Sequence, residues 1–262
     1  MNKNSPAPLI LLTNDDGFFA EGLAALEKEM QAQGEVYVVA PDRERSATSL
    51  SITLHSPLRV KQIRNRVFAM DGTPTDCVYM AVQKLCPRRP DLLISGINPG
   101  PNLGQQDIAY SGTVAGALQG TFLKIPSMAV SLIHGQKEDA DFDGAARLTG
   151  RIARSLLTDP LPEGITLNVN IPSPPVKGIR LVKLGEKRYN PEITSRTDPR
   201  NRTYYWIGTG TPKAIGDRDS DVKTIKDGYA TVTPLHRDLT HYPTLDSQPL
   251  RSIFERIGNE YR

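Results

Sequence analysis

The sequence predicts an α/β fold: a Rossmann-like, doubly wound and mostly parallel sheet, followed by a C-terminal extension used for oligomerisation. Over the first two thirds of the chain, short apolar segments alternate with helix-like segments, and polar, Gly-rich loops follow several of the apolar ones. Buried strands that alternate with helices form right-handed βαβ units around a parallel sheet. The 262 residues are 38% hydrophobic, enough for one large core. We therefore expect a single α/β domain over residues 1–262, with its core at about 8–172.

The first predicted elements are a strand, a helix and a second strand. Residues 8–13 are almost uniformly apolar, which is typical of a strand buried on both faces. Residues 19–33 place three large apolar side chains at helical spacing. The apolar run at 36–40 predicts the second strand, and the polar residues 42–49 predict a loop after it.

The next elements are an antiparallel pair and a helix. Residues 58–63 and 66–70 alternate between polar and apolar side chains, which favours two paired strands. Thr75 or Asp76 is a suitable cap for a helix that runs to about Leu85.

The rest of the core continues the alternation. Residues 91–95 form another apolar strand, and the Gly-, Pro- and Asn-rich residues 96–110 predict a long loop. A helix of small residues is expected at about 112–123, a strand at 127–132, and an amphipathic helix at 140–157.

The C-terminal third has a different composition. Residues 185–228 are polar, and a stretch of this length with little core pattern favours either an active-site lid or an arm that packs on another subunit. Exposed aromatic residues usually mark contacts, so Tyr204–Trp206 favour the arm, although these rings are also able to close the core of their own chain. Residues 229–234 predict a strand, and residues 246–262 predict a terminal helix.

Composition excludes several classes of protein. The 32 basic and 29 acidic residues are interleaved, so a net charge of +3 does not indicate nucleic-acid binding. Two cysteines, Cys77 and Cys86, make a disulfide framework improbable and fit a reducing compartment. We find no apolar run long enough for a secretory signal or a membrane span. We therefore expect a cytoplasmic protein without a membrane partner.

The end of the first predicted strand contains two adjacent carboxylates, Asp15 and Asp16. In open α/β sheets, ligands bind at the carboxyl ends of the strands. Two neighbouring carboxylates in a partly buried crevice repel each other unless a proton or a cation neutralises one of them. Asn98 and Ser46 follow other strands and offer neutral oxygens, so the set favours Mg²⁺ or Mn²⁺ over zinc. The alternative is that the aspartates merely cap the next helix.

A second feature of the same sheet edge is the start of the helix at Ser111–Thr113, directly after a Gly-rich loop. Unpaired N–H groups at a helix N-terminus bind anions. A metal site beside an anion site indicates hydrolysis of a phosphate ester. Neither a P-loop nor a G-x-G-x-x-G pattern occurs, which argues against a P-loop NTPase and a nicotinamide enzyme.

The order of these motifs resembles the SurE (survival protein E) nucleotidases over essentially the whole chain. The motifs that support the resemblance are Asn14–Gly17, the Pro41–Ser46 loop, Gly72–Asp76, Ser95–Asn102, Tyr110–Thr113, Tyr205–Gly208 and Asp227–Leu235.

The resemblance implies a metal-dependent phosphatase that acts on nucleoside 5′-monophosphates, with 3′-nucleotides and short polyphosphate as further substrates. It implies one Mg²⁺ or Mn²⁺ per subunit, and a homodimer or tetramer formed by exchange of C-terminal segments. The implied metal ligands are Asp15, Asp16, Ser46 and Asn98, and we assign the catalytic role to Asp16 with Asp15. The residues expected to bind phosphate or substrate are Asn14, Gly17, Asn102, Ser111, Gly112 and Thr113.

Two positions depart from the family pattern, and one other function stays open. Ala47 stands where the family usually has Gly, and alanine tolerates a positive φ poorly. Pro99 restricts Asn98 to extended backbone. The alternative function is a non-catalytic nucleotide-binding regulator, which needs the anion site and no metal. The sequence does not rank the bases, the two metals, or dimer against tetramer.

Overall fold

The computed structural model describes residues 6–135, 140–190, 192–208, 210, 212–215 and 217–260. The strands are β1 Leu9–Thr13, β2 Glu35–Pro41, β3 Val60–Arg64, β4 Val67–Met70, β5 Leu92–Pro99, β6 Ser127–Ile133, β7 Ile165–Pro172, β8 Ile179–Leu181, β9 Glu186–Arg188, β10 Ile193–Thr197, β11 Thr203–Ile207, β12 Lys213–Ile215 and β13 Ala230–His236. The helices are α1 Glu21–Met30, α2 Pro74–Met80, α3 Gly104–Tyr110, α4 Gly112–Phe122, α5 Phe142–Thr158, α6 Asp221–Thr224, α7 Tyr242–Leu245 and α8 Gln248–Glu260.

A nine-stranded sheet forms the centre of the fold, in the order β3-β4-β2-β1-β5-β6-β7-β13-β8. The strands from β4 to β7 in this order are parallel to one another. Antiparallel pairs occur where β3 meets β4 and where β13 meets β7. The predicted α/β class and the antiparallel pair near residue 65 are therefore confirmed, and the sheet extends past residue 172 through β8 and β13.

Helices cover both faces of the sheet because its central strands are apolar on both faces. Every residue of β1 is buried. On one face, α1 and α5 pack together, and Leu26, Met30 and Ala153 belong to the same buried cluster. On the other face, α2 packs against α4, and Val78 and Val114 belong to a second cluster. The strand ends between these layers form the edge at which the polar motifs lie.

The expected loop over residues 96–110 was wrong in two respects. β5 continues to Pro99, and α3 follows over Gly104–Tyr110. The N-cap residue of α3, Leu103, provides no side-chain cap, and its own amide donates to Asp107 Oδ2 at 3.2 Å. Distant residues satisfy its first N–H groups instead: Gly104 donates to Asp221 Oδ2 at 2.7 Å, and Gln105 donates to the Gly185 carbonyl at 3.0 Å. Tertiary hydrogen bonds thus make a helix where local composition indicates a loop.

The cap of the second helix was also misplaced. Thr73, and not Thr75 or Asp76, is the N-cap: its hydroxyl accepts from the Asp76 amide, and Asp76 Oδ2 accepts from the Thr73 amide. Proline at position 74 suits the first helical position because that position needs no N–H donor. The α-helix ends at Met80, and one π-helical segment continues it to Leu85.

Two C-terminal segments, the β10–β11 hairpin and α8, expose apolar side chains. β10 and β11 form an antiparallel hairpin in which Trp206 is opposite Thr194, and Trp206 is exposed. None of the side chains of α8 is buried, and its exposed apolar residues recur at helical spacing. Within the described ranges, no helix combines the length and the apolar character needed to cross a bilayer.

Candidate active site

The turn after β1 directs two carboxylates to the carboxyl edge of the sheet. The buried Asn14 side chain closes this turn: its Nδ2 donates to the Gly17 carbonyl at 2.9 Å, and its Oδ1 accepts from the Gly17 amide at 3.2 Å. Gly17 has a φ of 100°, and a Cβ there lies 3.2 Å from the Arg43 carbonyl carbon. Asn14 and Gly17 therefore shape the loop that presents Asp15 and Asp16.

Asp15 is buried against the first turn of α4. Thr113 donates its hydroxyl hydrogen to Asp15 Oδ1 at 2.6 Å. A Cβ added to Gly112 would lie 2.8 Å from Asp15 Oδ2, so only glycine allows this approach. On the other side, the Arg45 amide donates to the Asp15 main-chain carbonyl at 2.7 Å. These contacts fix both the backbone and the carboxylate of Asp15.

Asp16 has no comparable partner. Its Oδ2 is buried without a hydrogen bond among the described residues. Burial, the charge of Asp15 and the charge of Glu44, in that order, raise the pKa of Asp16 from 3.8 to about 7. Burial also raises the pKa of Asp15, although the hydrogen bond from Thr113 opposes this effect. Both carboxylates are therefore costly to ionise unless a cation lies between them.

Two neutral side chains border the same pocket as the aspartates. Ser46 lies in the loop after β2 and donates its hydroxyl hydrogen to Glu44 Oε1 at 2.7 Å. Asn98 lies near the end of β5, and its Nδ2 donates to the Gly100 carbonyl at 2.9 Å. Both contacts leave an oxygen with acceptor capacity, because a hydroxyl has two lone pairs and the Asn98 amide is used through its nitrogen.

The donor set fits a hard divalent cation. Among the described residues Asp16 Oδ2 has no hydrogen-bond partner, burial raises the pKa of both aspartates, and two neutral oxygen donors lie at the same pocket. Carboxylate, amide and hydroxyl oxygens are the ligands that Mg²⁺ and Mn²⁺ prefer. In the part of the chain that is described, no cluster of three or more His, Cys, Asp or Glu residues is arranged for a metal, so a site of the usual zinc type is not indicated.

The start of α4 provides the expected anion site. Ser111 is the N-cap, and its hydroxyl accepts from the Val114 amide at 3.0 Å. The first N–H groups of α4 precede its intrahelical hydrogen bonds, and that of Thr113 is directed at the Asp15 carboxylate, while Ser111 faces the pocket. The side-chain positions of Gly112 and Thr113 face Asp15, so this segment lies against the carboxylate pair.

The structure brings six of the ten predicted residues to one pocket of about 970 Å³: Asp15, Asp16, Ser46, Asn98, Asn102 and Ser111. The other four do not line it, and they are Asn14, Gly17, Gly112 and Thr113. These four shape the pocket from behind, by closing the turn after β1 or by packing against Asp15.

Ten further residues line the pocket and were not predicted from the sequence as site residues. They are Glu44, Ala47, Pro99, Pro101, Gln106, Asp107, Tyr110, Tyr189, Ile207 and Gly208. Three of them belong to the segment for which the sequence favoured a lid or an arm. Tyr189 donates its hydroxyl to Asp107 Oδ1 at 2.6 Å, and Lys187 forms a nearly buried ion pair with the same carboxylate. Burial and the contact with Asp107 raise the pKa of Tyr189.

The two departures from the family pattern have different outcomes. Ala47 has a φ of 56°, so an alanine occupies the left-handed conformation that glycine prefers. Asn98 is within β5, and its extended backbone accommodates Pro99.

The chain is similar to known proteins over almost its full length. The family described as "Survival protein SurE" matches residues 10–191. The "5′-nucleotidase SurE" of Pelobacter propionicus is 46% identical over 239 residues, which cover 90% of this chain and 96% of that protein. The protein of the same name from Anaeromyxobacter dehalogenans is 47% identical over 246 residues, covering 93% and 94% respectively. The crystal structure of the SurE protein from Aquifex aeolicus superimposes with a TM-score of 0.81 at 38% identity, and covers 94% of this chain and 100% of that one.

Proposed function

This chain belongs to the survival protein SurE family, and from this premise we propose that it is a metal-dependent 5′-nucleotidase. It hydrolyses nucleoside 5′-monophosphates to a nucleoside and phosphate. The observation that supports this function most directly is the buried Asp16 oxygen without a partner, beside a second carboxylate and next to a helix N-terminus. A cation and a phosphate group satisfy these features together.

The residues divide the chemistry between them. Asp15, Asp16, Ser46 and Asn98 hold one Mg²⁺ or Mn²⁺, which, when bound, polarises the phosphoryl group and lowers the pKa of water. We assign the phosphate to the start of α4, where Ser111 lines the pocket and the positive end of the helix stabilises the charge that develops on the phosphate oxygens.

Asp16 orients the attacking water and takes its proton. The displacement is direct and in line. A substrate that is chiral at phosphorus tests this step, because one displacement inverts the configuration and a covalent aspartyl-phosphate route retains it.

The remaining walls of the pocket are suited to bind the nucleoside part of the substrate. A pocket of about 970 Å³ is larger than a phosphate needs, and it has apolar and aromatic walls at Pro101, Tyr110 and Ile207. We assign the nucleoside to these walls. The same opening gives access to 3′-nucleotides and to short polyphosphate, which we include as further substrates.

Phosphate release from AMP and GMP tests the proposal. We expect turnover with Mn²⁺ or Mg²⁺, its loss with EDTA, and a loss of at least about 100-fold in Asp16→Asn with the fold retained. Asp143→Asn is the matched control, because Asp143 is an exposed carboxylate on α5 whose nearest ion pair spans 3.9 Å. A wild-type protein that binds AMP but releases no phosphate with either cation contradicts the enzyme and supports the regulator.

We also propose that the protein is a cytoplasmic homodimer or tetramer. The support is the exposed apolar surface of the hairpin, where Tyr205, Trp206 and Ile207 are each more than 60% exposed, and of α8. Isolated monomers seldom expose such patches. Replacing Trp206 with Ser is expected to lower the sedimentation coefficient to that of a smaller species, and an unchanged coefficient argues against the hairpin. The free cysteines, Cys77 and Cys86, fit a reducing compartment.

A further inference from the structure

Two asparagines of β7 hold the main chain of Asn102. Asn170 makes two hydrogen bonds: its Oδ1 accepts from the Asn102 amide at 2.9 Å, and its Nδ2 donates to the Asn102 carbonyl at 2.9 Å. Asn168 donates to the same carbonyl at 2.8 Å. The side chains of Asn168 and Asn170 are fully buried, so these bonds are protected from competing water.

The side chain of Asn102 extends these contacts toward the carboxylate pair. Its Nδ2 donates to Ser131 Oγ at 2.8 Å and to Thr113 Oγ1 at 3.5 Å. Thr113 in turn donates its only hydroxyl hydrogen to Asp15 Oδ1 at 2.6 Å. Because Asn102 supplies a donor to Thr113, the threonine hydroxyl accepts on that side and is left to donate toward Asp15.

The position of these asparagines in the sheet is unusual. β7 lies between β6 and β13 and is almost entirely buried, and such strands normally consist of aliphatic residues. A buried amide costs free energy unless its hydrogen bonds are made. Asn170 uses its amide oxygen and its amide nitrogen on the N–H and the C=O of one residue, Asn102. The contacts therefore specify one place for the main chain of Asn102, which an aliphatic residue at position 170 does not do.

We propose that Asn170 is a positioning residue, which acts through Asn102 and Thr113 to fix the orientation of Asp15. This role rests on the proposed function, in which Asp15 is a metal ligand. Asn170 touches neither substrate nor metal. It holds the main chain of Asn102, whose side chain donates to the Thr113 hydroxyl, and that hydroxyl donates to one oxygen of Asp15 and leaves the other for the cation. Outer partners of this kind typically change metal affinity by about 10- to 100-fold when removed.

Direct metal titration tests the role independently of turnover. In protein freed of metal, Mn²⁺ binding is measured by calorimetry for the wild type, Asn170→Ala and Asn170→Leu. Leucine is included because it suits a buried strand and removes both hydrogen bonds. Thr231→Val is the matched control: Thr231 is buried directly opposite Asn170 in β13, and its hydroxyl has no partner among the described residues. We expect about 10-fold weaker Mn²⁺ binding in the Asn170 variants and no change in the control.

A double-mutant cycle separates positioning from a general loss of stability. Thr113→Val removes the hydroxyl through which Asn170 acts. The effect of Asn170→Leu on Mn²⁺ affinity is therefore expected to shrink to less than about threefold in the Thr113→Val background, since two steps of one path are not additive. Thr113→Ser, which keeps the hydroxyl, is expected to retain most of the affinity and the full effect of Asn170→Leu.

The outcomes distinguish this role from the proposed function. A wild type that releases phosphate and binds Mn²⁺, together with a folded Asn170→Leu of wild-type affinity, overturns the role of Asn170 alone. Fully additive effects in the cycle overturn the path through Thr113. A wild type that neither binds Mn²⁺ nor hydrolyses AMP overturns the proposed function and this role with it.

Discussion

The charge of Asp16 is expected to make the metal-free protein less stable as the pH rises. In the unfolded chain this carboxyl loses its proton near pH 3.8, and in the fold, with its pKa raised to about 7, it keeps the proton far longer. Between these two values the folded state holds a proton that the unfolded state has lost. The contribution of Asp16 to the stability of the fold is therefore fully present below the pKa of the unfolded chain. It is lost as the pH rises through the pKa of the folded state.

The size of the effect follows from proton linkage. A difference of one bound proton changes the free energy of unfolding by about 1.4 kcal/mol per pH unit. Between about pH 5 and pH 7, the wild type is expected to lose roughly 2 kcal/mol through Asp16, given that the group is half ionised near pH 7. The Asp16→Asn variant has no carboxyl to titrate at this position. Its free energy of unfolding relative to the wild type is therefore expected to rise by roughly 2 kcal/mol between about pH 5 and pH 7.

Denaturant unfolding in the presence of EDTA measures this difference. The two proteins are compared at each pH, so that contributions from groups that do not interact with Asp16 cancel. Saturating Mn²⁺ supplies the missing positive charge and is expected to reverse the order at pH 7, stabilising the wild type more than the variant. A difference between the two metal-free proteins that stays constant from pH 5 to pH 8 refutes the argument, because Asp16 then ionises alike in both states.

The remaining predictions concern backbone positions at the site. Ala47→Gly is expected to stabilise the protein by about 1 kcal/mol in denaturant unfolding, because Ala47 has a φ of 56° and glycine adopts this conformation without strain. Equal or lower stability of the variant contradicts strain at this residue. Gly112→Ala is expected to weaken Mn²⁺ binding at least about 10-fold in calorimetry, because the new Cβ meets the Asp15 carboxylate at 2.8 Å. Gly258→Ala, where a Cβ meets nothing within 4 Å, is its control, and similar affinities of the two variants argue against the displacement of Asp15.

The parts of the fold that were predictable from sequence are those with local patterns. The central strands β1, β5 and β6 appear as apolar runs because they are buried on both faces, and the sequence placed each of their starts within one residue. The start of α3 was not predictable, since its first N–H groups bond to Asp221 and Gly185, which lie far away in sequence. A helix stabilised in this way has no local sequence pattern.

The candidate site divides in the same manner. Asp15 and Asp16 were predictable, because a strand end in an α/β sheet is a known ligand position and adjacent carboxylates there are conspicuous. Glu44 and Tyr189 were not, because they come from polar segments without periodicity and reach the pocket only through tertiary contacts. The sequence does contain a pattern that indicates Asn170. Two asparagines alternate with aliphatic residues in β7, a strand that is mostly apolar.

Residues 185–228 adjoin the proposed active site. The sequence left a lid and an arm as alternatives for residues 185–228, and the contacts at the base of this segment join it to the wall of the pocket within the same chain. Asp221 accepts from the amides of Gly104 and Gly185, and Asp107 binds Lys187 and Tyr189, so two carboxylates fasten the segment to α3. The far end of the segment contributes the hairpin, whose last residue, Ile207, lines the pocket although 78% of it is exposed. A subunit seated on this hairpin therefore buries residues that adjoin the pocket wall, and the proposed assembly and the proposed catalysis share a surface.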